Sequence, residues 1–159
     1  MKKLNENFYK LQKKFHPDLY YRSDLNTKKK NKEKIYIINE GYRKLKNPLS
    51  RISHLFVLNN IDYKNKKKYP LKVELLENQF QFSIKLENLK SNISLNNELS
   101  FFIKKKRVLI QNFFKKISLS ISIKKWNYAV SLFQEIRFLF KLLEQANEIK
   151  KIRDLNRKY

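Results

Sequence analysis

The sequence predicts an all-α protein, a helical hairpin followed by a three-helix bundle. Three observations carry this expectation. Apolar residues recur at three- and four-residue spacing along most of the chain. One Gly and three Pro in 159 residues leave few points that interrupt a helix. Hydrophobic residues at 42% and aromatics at 14% suffice for a core and argue against a wholly disordered chain.

The elements follow in order. Leu4, Phe8, Leu11 and Phe15 fall at i, i+4, i+7 and i+11, one stripe of a helix from Lys2 to Phe15. Pro17 cannot continue that helix, because it lacks an N–H and its ring clashes with the preceding turn. It also pushes His16 toward extended backbone. His16-Pro17-Asp18 should therefore stand at the tip of a hairpin, presenting an imidazole and a carboxylate. The second helix is expected from about Lys28 to Lys46, capped by Asp24 or Thr27, with Ile35, Ile38, Tyr42 and Leu45 as its stripe. Asn47-Pro48 ends it. A shorter helix, Leu49 to Asn59, carries Ile52, Leu55 and Phe56. Residues 1–60 thus read as one domain and 61–70 as a charged linker closed by Pro70. From 71 to 159, three long amphipathic patterns imply an antiparallel bundle, at about Leu71–Leu89, Leu99–Ile117 and Lys125–Leu155. The Lys-Lys-Lys-Arg run at 104–107 reads as a solvated face with snorkelling stems, Lys106 lying near the apolar stripe.

The net charge of +23 calls for an acidic partner or a compositional cause. Its basic residues are 30 Lys against 7 Arg, beside 18 Asn and 15 Ile. The codons for Lys, Asn and Ile are AT-rich, the signature of drift in a reduced bacterial genome such as an endosymbiont's. Arg dominates specific phosphate and base contacts, so no specific nucleic acid is expected. A basic helical nucleic-acid-binding protein is the rival reading. No cysteine is present, which excludes disulfides, thiol nucleophiles and Cys-type metal sites. His16 and His54 lack a ligand partner at helical spacing. No catalytic residue, metal site or cofactor is expected, and hence no enzyme. No apolar run reaches membrane-spanning length and the N-terminus has no secretory signal pattern, so the expected location is the cytoplasm, with no membrane partner.

His16-Pro17-Asp18 between two such helices resembles a J-domain, the module by which co-chaperones engage DnaK-type chaperones. The following residues narrow the likeness. The stretch from Ile38-Asn39 through Tyr42, Leu45, Pro48 and Arg51 to Leu58 resembles the HscB family, as do Leu75-Leu76-Glu77-Asn78-Gln79-Phe80, Trp126-Asn127-Tyr128-Ala129 and Arg137-Phe138-Leu139-Phe140. The family's members are J-type co-chaperones of iron–sulfur cluster assembly. The resemblance implies that His16, Pro17 and Asp18, with Lys10, Lys13 and Lys14, contact the chaperone HscA. It implies that Leu76, Phe80 and Phe138 contact the cluster scaffold IscU, as an exposed apolar trio. A J-domain co-chaperone with a different client is the alternative within this class. Three departures stand out. The family's J-domains carry a helix ahead of the basic one, and few residues precede Leu4, so a marginal hairpin is expected. Leu19 stands where the family often has Lys or Arg. Ser83-Ile84-Lys85 stands where charges are usual.

Overall fold

The computed structural model describes residues 1–65, 67–92 and 94–156. Among them are six α-helices and no strand. The chain divides into two compact units, Met1–Ile61 and Asp62–Tyr159.

The first unit holds α1 (Lys2–Lys14), a 3-10 turn (Pro17–Tyr20), α2 (Leu25–Lys46) and α3 (Pro48–Leu58). Of the two candidate caps for α2 the structure selects Asp24. Its Oδ1 accepts from the Thr27 backbone N–H at 2.7 Å, and Oδ2 accepts from the Thr27 hydroxyl at 3.1 Å. Those bonds hold the Asp24 carboxyl below the usual range. Asn47 caps α3 through Oδ1, with Pro48 in the first turn, where its missing N–H costs nothing. α3 ends on Asn60 in the left-handed region (φ 57°), and the Ile61 N–H returns to the Phe56 carbonyl.

α1 and α2 run antiparallel along a seam that is aromatic and polar. Phe8 stacks on Tyr42 with ring centroids 3.9 Å apart and an interplanar angle of 17°. The Tyr42 hydroxyl donates to Asn5 Oδ1 at 3.1 Å, and Gln12 Nε2 donates to Asn39 Oδ1 at 2.5 Å. No residue of α1 is buried. Leu11, Leu45 and Leu55, expected on apolar stripes, are exposed. Two helices cover only one flank of each other's stripe, and the residues on the other flank stay wet.

The second unit is built from α4 (Val73–Ser91), α5 (Asn96–Ser122) and α6 (Trp126–Asn156). α5 and α6 are antiparallel neighbours. Arg107 bonds Asn147, and Phe114 meets Phe140 edge-on at 5.8 Å, pairs whose numbers fall and rise together. Leu86, Leu89, Leu99, Phe102, Ile103, Leu142 and Ala146 form one buried cluster across the three helices. The α5–α6 connection places Lys124 in the left-handed region (φ 56°), where Gly is the usual occupant. α5 runs five residues past the expected end at Ile117. Ser120 and Ser122 return their hydroxyls to the Lys116 and Leu119 carbonyls, so this polar stretch stays helical.

Three sequence expectations change here. The expected linker, 61–70, packs on the second unit at two of its aromatics. Tyr69 is buried, its carbonyl accepts from Gln134 Nε2 at 3.0 Å, and Tyr63 meets Phe133 edge-on at 5.5 Å. Two aromatics thus anchor a charged segment to α6. Arg153, on no expected stripe, is buried, and its guanidinium donates to the Leu89, Lys90 and Asn92 carbonyls and to Asn96 Oδ1. It closes the C-terminal end of α4, whose last carbonyls have no helical partner. Lys106 does not belong to a solvated face. It is 4% exposed, with Nζ 2.9 Å from the Phe82 ring centre and 5.2 Å from that of Phe102. Burial first, then Lys105 and Lys85, lower its pKa from 10.5 to about 8.

Two predictions follow from backbone and burial. A Cβ at Gly41, inside α2, would meet nothing within 4 Å. Gly41→Ala should therefore stabilise the hairpin by about 1 kcal/mol, read as slower amide exchange in α1 and α2. For Lys106, the folded state sheds its proton near pH 8 and the unfolded chain near 10.5. Unfolding takes up a proton between those values, so stability rises with pH across that window. Lys106→Met should raise the urea midpoint at pH 7.5, with the gain shrinking by pH 10. The single Trp, Trp126, reports unfolding of this unit.

Candidate functional site

The hairpin tip is fixed by the chain itself. His16 is extended (φ −62°, ψ 137°), as a residue before proline should be. The Leu19 N–H bonds the His16 carbonyl at 3.1 Å and closes the turn. Tyr20 reaches back, its hydroxyl donating to the Lys14 carbonyl at 3.0 Å. That bond satisfies one of the open carbonyls at the end of α1 and ties the loop to the helix it left. His16 Nδ1 lies 3.4 Å from the Asp18 backbone N and 3.3 Å from Asp18 Oδ2. A neutral ring accepts from the backbone N–H there. A charged ring donates to the carboxylate instead. Both side chains remain open to solvent, His16 at 53% and Asp18 at 88%. The loop thus offers a carboxylate without a strong internal partner.

Lys10, Lys13 and Lys14 sit at i, i+3 and i+4 on α1, so they share one helix face, and all three are exposed. Lys14 and Lys34 both lie over the Phe15 ring, at 5.7 and 5.2 Å. The face leading to the loop is therefore basic, while the loop tip is acidic.

On α4 the structure separates the apolar trio that the resemblance implied. Leu76 and Phe80 are exposed, Phe80 at 64%. They continue a stripe with Val73 and Ile84, both also exposed, at i, i+3, i+7 and i+11. Phe138 is half-buried and packs against the bundle's core cluster. It lines a cavity of about 170 Å³ with Leu75, Phe82, Leu139 and the polar rim of Asn78, Gln79 and Glu135. Neither Leu76 nor Phe80 lines that cavity. Burial is the main cause that raises the Glu135 carboxyl above its ordinary range, with Lys72 opposing it. Val73 and Glu135 did not stand out in the sequence, and Ile84 stood out only as a departure from the family's usual charge. The place of Val73 and Ile84 on this stripe could have been found, because their spacing to Leu76 and Phe80 is helical. Among the described residues, no group of three or more His, Cys, Asp or Glu could hold a metal ion. No helix among them is long and apolar enough to cross a membrane.

No family model matches the chain. It is 35% identical over 145 residues to Co-chaperone protein HscB of Buchnera aphidicola, an alignment spanning 89% of this chain and 81% of that relative. The chain belongs to the HscB family of co-chaperones. HscB of Proteus mirabilis is 24% identical over 152 residues, covering 92% of this chain and 84% of its own. Chaperone HscB from Vibrio cholerae superimposes with a TM-score of 0.81 at 23% identity, over 96% of this chain and 87% of that one. The all-α fold of this HscB-family chain is therefore shared with a solved structure.

The tie from Tyr20 to α1 is open to test. Tyr20→Phe should leave both helices formed and cost about 1 kcal/mol of local stability. The amide of Tyr21 should then exchange faster than that of Leu49, which the Asn47 cap holds in α3.

Proposed function

We propose that this HscB-family chain is a J-type co-chaperone of iron–sulfur cluster assembly, with no catalytic chemistry of its own. In this reading the hairpin engages a DnaK-type chaperone, HscA, and stimulates its ATPase. The second unit carries the cluster scaffold IscU to that chaperone. The observation that carries the first half is Asp18. It is exposed on a closed turn, beside a basic helix face and inside a His-Pro-Asp sequence.

The chemistry fits these roles. Asp18 can accept a charge-assisted, bidentate contact from a chaperone Arg. Lys10, Lys13 and Lys14 would speed encounter with an acidic surface, an effect that falls with salt. For the scaffold, the exposed stripe of Val73, Leu76, Phe80 and Ile84 offers an apolar surface of the kind that carries hot spots. Ile84 stands where the family usually has charge, which extends that stripe. Phe138 contributes through the floor of its cavity. A bacterial cytoplasmic location suits these partners.

Single-turnover ATPase of the cognate chaperone, with and without this chain and scaffold, is the direct assay. The chain should accelerate hydrolysis, and Asp18→Asn should abolish the acceleration without unfolding α1 or α2. Equal stimulation by both proteins would sink the chaperone assignment. Separately, Leu76→Ala/Phe80→Ala should weaken scaffold binding at least tenfold, since both side chains are exposed. The Trp126 unfolding curve should stay unchanged. Native scaffold affinity in that variant would reject the stripe as the docking surface.

A further inference from the structure

Behind the hairpin tip, between the loop and α2, lies a cavity of about 430 Å³, partly open to solvent. Its lining is overwhelmingly apolar, formed by Pro17, Tyr20, Tyr21 and Ile35 with the stems of Lys28 and Lys32. The walls are held in place. Tyr20 is tied to the Lys14 carbonyl, and the Lys28 ammonium sits 5.7 Å from the Tyr21 ring centre. One polar side chain lines the interior, that of Asn31. Asn31 is 7% exposed, and its amide makes no hydrogen bond to any described residue. No fully buried side-chain polar atom among the described residues lacks a partner, so the unbonded Asn31 amide keeps an opening to the cavity, through which an incoming backbone group could bond it. No carboxylate lines the cavity, and neither Lys28 nor Lys32 forms an ion pair among the described residues. Asp24, the cap of α2, attracts Lys28 but bonds Thr27 and forms no ion pair with it.

We infer that this cavity receives an apolar side chain from an acidic segment of the chaperone. The inference rests on the chaperone reading above and extends it to a second contact. The apolar walls select the side chain, and the Asn31 amide bonds the backbone that carries it. Lys28 and Lys32 at the mouth select flanking carboxylates. Pro17 is a wall of the cavity and a member of the exposed loop, so a partner bound at Asp18 is already at the entrance. A second copy of this chain is a poor occupant, because each copy carries a net charge of +23.

The test uses the full chain and the ATP-bound cognate chaperone. Asn31→Leu keeps the branched shape of the side chain, replaces the amide by methyl groups and suits a helix at least as well, so the hairpin should stay folded by circular dichroism. It should weaken chaperone binding about tenfold, the scale of one buried polar contact. Lys28→Glu/Lys32→Glu should cost at least tenfold more affinity than Lys29→Glu/Lys30→Glu, an equal charge change on the same helix away from the cavity. A photoreactive p-benzoylphenylalanine in place of Tyr21 should crosslink to a chaperone segment that contains Asp or Glu. If Asn31→Leu and the cavity charge reversal bind within twofold of their controls while Asp18→Asn still abolishes stimulation, the cavity is not used and the loop reading stands. If Asp18→Asn is also without effect, both readings fall. Crosslinks only to a second copy of this chain would also overturn the inference.

Discussion

The stack of Phe8 on Tyr42 is the contact on which the displayed loop depends. α1 has no buried residue, so it cannot rely on core burial to stay in place. Its register on α2 comes from that stack, from Tyr42 bonding Asn5, and from Gln12 bonding Asn39. Aromatic stacking adds on the order of 1 kcal/mol beyond area, and each hydrogen bond about as much. These are small sums against the entropy of ordering a 13-residue helix. The hairpin therefore sits at the low-stability end of the chain, and the position of Asp18 inherits that looseness. The second unit differs in kind. Its three helices share a continuous apolar cluster, and Arg153 locks the end of α4 from within.

Composition leaves its mark on individual sites. Lys106 puts a cation among aromatic rings, where an apolar residue would need no desolvation. Lys124 and Asn60 hold left-handed positions that Gly would occupy at lower cost, in a chain with a single Gly. That Gly, Gly41, stands inside a helix, where Ala would be better. Lys106, Lys124 and Asn60 have AT-rich codons and fit the compositional bias, while Gly41 does not, and none of the four breaks the fold. The +23 charge reads the same way, as a compositional background.

Much of this was legible in the sequence, for physical reasons that can be named. The helices are periodic and their breaks are chemical. Pro17, Asp24 and Asn47-Pro48 act locally, so their effects can be read without a third dimension. What stayed hidden depends on partners far along the chain. Arg153 reaches carbonyls some sixty residues away. Asn31 looks like one more polar residue in a lysine-rich helix until the loop folds over it. The stretch 62–70 reads as solvated because its lysines outnumber its aromatics, yet Tyr63 and Tyr69 decide where it packs. On α4 the family resemblance pointed to Leu76 and Phe80, four apart on one helix face, and both are exposed. It could not show that Phe138 sits lower, in a cavity of its own.

The most direct test separates the seam from the surfaces it supports. Tyr42→Ala removes the stack and the bond to Asn5 without touching the loop or α4. Measured side by side, stimulation of the chaperone ATPase should fall at least tenfold while scaffold affinity stays within twofold of native. Full stimulation by the Tyr42→Ala chain would contradict the account, because Asp18 would then be displayed without the contact held responsible for its position.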